Sequence, residues 1–260
     1  MKLTINIKKS IEQNASDYFE KSKKAKKKIE TVRKVIELHK KKLDALKKGF
    51  AEEEKKEKTI IRREKAWYEK FHWFFSSDNL LVIGGKDATT NEIVVKKHTE
   101  KNDLVFHTEM AGSPFAVVKA TGNVPEATIR EAASFCAIYS RAWKLNMAPE
   151  VFYVAPEQVT KTAKPGEYIP RGAFMIYGKK NFIKDFDMRS AVGIKNNQVI
   201  GGPITAVQKH AENYVIVVQG DKKKSDLAKQ VRKEIGGELD EIMLFLPGDG
   251  KIEAIKRTKP

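Results

Sequence analysis

Apolar residues recur through the first fifth of the chain at Ile11, Ala15, Tyr18, Ser22, Ala25, Ile29, Val32, Ile36, His39, Leu43 and Leu46, alternately four and three residues apart. That spacing is the a/d seam of a coiled coil held for five heptads, and it predicts one long helix over residues 9–48. At about 1.5 Å per residue such a helix reaches roughly 60 Å. Gly49 interrupts the pattern, and the charged run at 51–58 leads into a second apolar set, Ile60, Ile61, Trp67, Tyr68 and Phe71. The expected arm is therefore a long antiparallel helical hairpin over residues 1–75. The same seam serves equally to pair two chains as a homodimer. His39 has no second histidine three or four residues away, so it reads as a tolerated polar residue rather than a metal ligand.

Beyond the arm the period shortens. Leu80–Ile83, Asp103–His107, Phe115–Lys119, Val151–Ala155, Gln158–Thr162 and Ala173–Tyr177 read as strands, with a turn at Pro165-Gly166. Asp87 is placed to cap a short helix through His98, and Pro125 opens another, with Ile129, Ala132, Ala133, Cys136 and Tyr139 at helical spacing. The aromatic run around Trp67, Tyr68, Phe71, Trp73, Phe74 and Phe75 reads mainly as core that docks the arm onto a sheet, with base stacking as the rival use. After residue 190 the pattern restarts. Strands flank Asn196-Asn197, Tyr214–Gln219 is another strand, Ser225 is expected to cap a helix that stops at Gly236-Gly237, and Leu239–Leu246 follows as a short helix. The expected class is α+β: a coiled-coil arm (1–75), a mixed α/β domain (76–189) and a small C-terminal α/β extension (190–260).

Composition sharpens this. The chain has 260 residues, 41% of them apolar, which suffices for a core, and a single cysteine, Cys136, which rules out an intramolecular disulfide. A lone thiol beside Phe135 and Ala137 reads as small core filler. No apolar run approaches the roughly 20 residues that cross a bilayer, and the first ten lack a signal-peptide core, so the expected location is the cytoplasm with no membrane partner. The net charge of +16 is uneven: residues 1–49 carry 16 Lys or Arg against 6 Asp or Glu, the remaining 211 carry 34 against 28. That asymmetry fits a polyanionic partner, with solvated lysine-rich helix as the blander explanation.

No enzyme constellation emerges. IGGKDA lacks the spacing of a phosphate-binding loop or a dinucleotide fingerprint, no Ser/His/Asp or Cys/His arrangement is legible, and His98, Asp103, His107 and Glu109 are too scattered for a metal site. No cofactor is expected. Gly84-Gly85 allows close approach of backbone, whether to a phosphate or to another segment. The candidate RNA contacts are Lys161, Lys164 and Arg171 around the Pro165-Gly166 turn, with Lys179, Lys180 and Asn181 after the strand, as one basic face.

Two blocks of residues carry a family resemblance. The first runs through Trp67, Tyr68, Phe71, Trp73 and Phe74 to Gly84, Gly85, Asp87, Ala88, Asn91, Glu92, Asp103, His107 and Gly112. The second holds Lys161, Thr162, Gly166, Tyr168, Gly172, Phe174, Met175, Gly178, Lys179, Lys180 and Asn181. Together they resemble the RNA-binding domain of the NFACT family of ribosome quality-control factors (Rqc2, NEMF, RqcH), with an archaeal-type extension after residue 190. Lys86 stands where many relatives carry arginine, keeping the charge and losing the bidentate fork. The resemblance implies His107 and Lys86 as further RNA contacts. It implies tRNA, ribosomal RNA and the large ribosomal subunit with its stalled nascent chain as partners. The family's N-terminal domain is not in this sequence, which reads as a fragment or a short natural form, so RNA and ribosome binding is expected rather than tailing activity. The rival reading is a protein-interaction module in which the arm binds partner proteins and the basic face is non-specific.

Overall fold

A computed structural model describes residues 4–57, 64–162 and 169–257, with backbone alone over 45–57. The chain divides into two compact units, 1–64 and 65–260.

The first unit is one helix, α1 (Ile11–Glu57). It starts at a reciprocal cap. The Ser10 hydroxyl accepts from the Gln13 N–H at 3.2 Å, and the Gln13 carboxamide oxygen accepts from the Ser10 N–H at 3.1 Å. The residues before it fold back onto Asn14, whose side chain accepts from the Asn6 N–H and donates to the Asn6 and Ser10 carbonyls. Glu30–Lys34 and Glu37–Lys41 form i,i+4 ion pairs in the favourable order.

The helix does not stop at Gly49. One glycine costs a helix only about 1 kcal/mol, which does not end it. Of the expected return helix, residues 58–63 lie outside the described residues; beyond them Trp67–Lys70 is a single 3-10 turn and His72–Phe75 is a strand. Helical spacing at 67, 68 and 71 loses to the pairing that buries the aromatics which follow.

Among its described residues the second unit holds two large antiparallel sheets and a two-stranded one. The first has six strands: β1 (His72–Phe75), β2 (Leu81–Gly84), β3 (Leu104–Thr108), β4 (Ala116–Val118), β5 (Val151–Val154) and, after the small hairpin β6 (Val159–Thr160) and β7 (Met175–Ile176), β8 (Asn181–Ile183). Their order is β1-β2-β4-β3-β5-β8. Strand alternation divides this sheet's side chains between two cores. Val82, Ala116, Val118 and Phe106 face Ala132, Ala133 and Phe135 of α3 (Glu126–Ile138). Ile83, Val105, Val117 and Phe152 face the other way, with Val94 of α2 (Ala88–Lys97). Asp87 caps α2 by accepting from the Thr90 N–H at 2.8 Å, and Pro125 precedes α3, both as the sequence predicts.

The second sheet, ordered β10-β9-β11-β12, is built from β9 (Ser190–Lys195), β10 (Gln198–Pro203), β11 (Asn213–Lys222) and β12 (Gly250–Arg257). Asn196 and Asn197 make its first turn, both with positive φ (49° and 62°), the backbone that a two-residue hairpin demands. Around it lie α4 (Arg141–Leu145), α5 (Ile204–His210), α6 (Lys224–Ile235) and α7 (Leu239–Phe245). Ser225 does not cap α6; Lys223 holds the N-cap position without a side-chain capping bond, and the Asp249 carboxylate receives the Lys224 N–H at 2.8 Å.

The two sheets share one core, in which Trp73 and Ile83 join Val192, Val215, Leu227 and Leu246. The expected boundaries at 75/76 and 189/190 thus fall within a single compact unit. Two long-range bonds tie its parts: the Tyr139 hydroxyl donates to the Phe245 carbonyl at 2.7 Å, and the Trp143 indole N–H donates to the Asp249 carbonyl at 2.8 Å.

Candidate nucleic-acid interface

The turn between β2 and α2 is built by packing. A side chain on Gly85 would come 2.1 Å from the Asn91 side-chain oxygen, which receives the Phe115 N–H at 3.0 Å. The Gly85 N–H donates to the Phe115 carbonyl, and the N–H groups of Lys86 and Asp87 both reach the Thr90 hydroxyl. These amides are therefore engaged within the fold, and the glycines admit a neighbouring segment. What the turn presents outward is the Lys86 side chain.

Opposite it stands the Arg171-Gly172 corner. Gly172 has φ +78°, and a side chain there would lie 2.4 Å from the Ala88 Cα, so only glycine brings this corner onto the start of α2. Lys161 locks it in place. Its ammonium, with three protons to donate, has three oxygens in range: Glu92 Oε1 at 2.9 Å and the Pro170 and Ala173 carbonyls, each at 2.8 Å. The bond from Lys161 and the Gly172 N–H hold the Glu92 carboxyl down to about 2.

An open cleft results, lined by Lys86, His107, Gly112, Tyr139, Arg171 and Phe174. His107 forms part of its floor, its ring centroid 4.2 Å from that of Phe115. Its Nδ1 lies 2.6 Å from the Thr108 carbonyl oxygen, and burial depresses its pKa against the pull of that carbonyl and of Glu109. A neutral imidazole on this floor offers hydrogen bonding rather than charge. Cys136, behind the floor, is buried and pushed up to about 12, which makes it an inert thiol.

The cleft leads to cations that sequence reasoning did not single out. His72, on β1 opposite Gly84, stacks on Tyr139 at 4.0 Å and is pushed down to about 3 by burial, then by the charges of Lys86 and Lys224. Lys224 is itself held down by burial and by Lys144, with Asp249 acting in the opposite direction. Lys86 is held down by burial and by Lys65, with Asp87 opposing. Lys86 and Lys224 thus act on the neutral His72 and on each other, with Lys65 acting on Lys86, Lys144 on Lys224, and Asp87 and Asp249 as counter-charges. Like charges gathered this way favour a bound anion.

The expected single basic face is resolved into parts. Lys86, His107 and Arg171 meet in the cleft. Lys179, Lys180 and Asn181 line a second groove along β8, shared with Glu126, Arg130 and Asp185. There Lys180 pairs with Glu109 at 2.6 Å and sits over the Phe152 ring, and Asn181 reaches the Tyr153 carbonyl at 3.4 Å. Lys161 is occupied as an internal strut, and Lys164 lies outside the described residues. Among the described residues no group of three His, Cys, Asp or Glu side chains is placed to hold a metal, and no helix is long and apolar enough to cross a membrane.

Residues 70–178 match the NFACT protein RNA binding domain. The chain is 39% identical over 209 residues to the archaeal Rqc2 homolog aRqcH of Methanocaldococcus jannaschii, covering 77% of this chain and 31% of that protein. It is 37% identical over 183 residues to the human ribosome quality control complex subunit NEMF, covering 65% and 16%. With ribosome quality control complex subunit 2 of Schizosaccharomyces pombe it shares 32% identity over 130 residues, covering 49% and 13%. The chain spans less than a third of the length of each of these relatives.

Proposed function

Since the chain belongs to the NFACT family and carries that family's RNA-binding domain, we propose that it is an RNA- and ribosome-binding component of ribosome-associated quality control. It binds tRNA and the large ribosomal subunit holding a stalled nascent chain, in the cytoplasm, and it acts by binding rather than by catalysis. The observation that carries this reading is the cleft lined by Lys86 and Arg171, next to His72, on which Lys86 and Lys224 both act. Phosphates are the ligand such a cluster favours, and the neighbouring rings of Tyr139, Phe174 and His107 supply flat surfaces for bases. Fluorescence anisotropy of labelled tRNA against a DNA duplex of equal length, over a range of salt concentrations, tests it. Tighter binding to tRNA at every salt supports the reading, and equal binding that vanishes with salt reduces the cluster to generic charge.

A second reading has its own observation. Ile29, Val32, Val35, Ile36 and Leu43 of α1 leave roughly half their surface exposed, so the arm itself offers an apolar seam. On this reading the arm binds a helical partner, a ribosomal protein or a second copy of the chain. Binding to such a protein that does not weaken with salt favours it.

A further inference from the structure

The aromatic run 67–75 has one member that burial does not explain. Phe71, Trp73 and Phe74 are almost fully buried, whereas Trp67 leaves 49% of its surface exposed. Its indole is not loose. It lies flat on the His98 imidazole, centroids 4.6 Å apart and planes 16° from parallel, and Tyr68 meets it edge-on at 5.7 Å. His98 is backed in turn by the edge of Phe71 at 5.3 Å. One indole face is thus covered by a parallel ring, while about half of the residue's surface stays exposed.

The surroundings are cationic. Lys70, Lys119 and Lys97 all act on His98, which burial and these charges keep below its ordinary pKa. Lys119 is engaged, holding Asp103 at 2.6 Å, Glu100 at 3.1 Å and the His98 carbonyl at 3.2 Å. Lys70, whose ammonium lies 5.0 Å from the Phe71 ring centre, and Lys97 in the last turn of α2 flank the stack. A rigid, half-open indole between two lysines has the elements of a single-strand binding site: a π-face for a base and positive charge for the phosphates beside it.

We infer that Trp67, backed by His98, seats an unpaired nucleobase of the RNA ligand, with Lys70 and Lys97 taking the flanking phosphates. This rests on the RNA-binding reading and adds a contact point apart from the cleft. It also gives that reading a preference for RNA with unpaired bases, since a base stacked in a duplex has no free face to offer.

The remaining tryptophans make the test selective. Trp73 and Trp143 are buried, so Trp67 is the indole that a soluble quencher and an incoming base both reach. The full chain is titrated with a single-stranded oligoribonucleotide of about a dozen residues and, separately, with an RNA duplex of equal length. Intrinsic emission, acrylamide quenching and anisotropy of the labelled RNA are followed together. The expected result is a change in emission and protection from acrylamide with the single strand only. Trp67→Ala then weakens single-strand binding by about 5- to 150-fold, the usual range for losing one stacked base, and leaves duplex binding unchanged. Trp67→Phe keeps a ring and retains most of the affinity, which holds even where the alanine variant folds poorly. If the single strand binds with steep salt dependence yet emission does not move and Trp67→Ala binds as wild type, the base seat is wrong and the RNA-binding reading stands. If neither RNA binds at any salt, the RNA-binding reading falls and the base seat with it.

Discussion

In α1 the apolar residues Ile29, Val32, Ile36 and Leu43 each leave about half their surface in water, whereas Val82, Val105, Val117 and Val215 in the sheets leave none. A helix satisfies its backbone within itself, so it can persist on caps, local pairs and propensity with its apolar stripe open. A strand cannot: its amides need a neighbour and its inward face needs cover. A regular apolar period thus means different things in the two regions. In the sheets it describes a core already closed, and in the arm it describes a surface available to another body.

The strongest way to break that contrast is to empty the closed core. Phe106→Ala removes a fully buried ring and is expected to cost the second unit about 3–5 kcal/mol in chemical denaturation. Helical circular dichroism from the arm should persist through that transition; a single joint transition would make the two regions one cooperative body. Next in size is the binding difference. Lys86→Glu combined with Lys224→Glu should lower the slope of log affinity against log salt by about 1.4–1.8, as the loss of two phosphate contacts implies. Reversing Lys26, Lys27 and Lys28 should matter less. The opposite ranking would move RNA recognition onto the arm.

A smaller effect separates the regions by pH. The Glu92 carboxyl sits at about 2 when folded and near 4.3 when unfolded, so its contribution is fully present above about pH 4.3 and is lost as pH falls through 2. Acid unfolding of Glu92→Gln should show less stability loss across that window than wild type, and parallel curves would remove the Lys161 strut from the account. The smallest expected effect is on the open seam. Ile29→Asp with Val32→Asp should change the stability of the second unit by no more than about 0.5 kcal/mol, while abolishing any self-association seen by sedimentation.

What the sequence made legible was local chemistry. Asp87 before α2, Pro125 before α3, the Asn196-Asn197 hairpin and the Gly236-Gly237 stop each act through a residue's own backbone preferences, and each sits where the pattern put it. The strand at His72–Phe75 was not legible, because its helical spacing is overridden by pairing with β2 and burial of Trp73 and Phe74. The site divides the same way. Lys86, His107 and Arg171 stand in or beside recognisable motifs and meet as neighbours. Lys65, Lys144 and Lys224 come from segments joined only by the fold, so no short pattern announces them. Lys161 looked like a surface cation because its counter-charge, Glu92, lies far back in the chain.

The bonds from Tyr139 to Phe245 and from Trp143 to Asp249 each bridge 106 residues. Contacts that remote set a kinetic requirement: a long loop must close before its ends reward it, and non-local topologies of this kind fold slowly. The first sheet cannot complete its packing around Trp73 until α7, more than 150 residues later, has arrived with Phe245. A half-made chain therefore exposes aromatic surface that the finished one hides, and its passage to the native state is governed by the meeting of its middle with its far end.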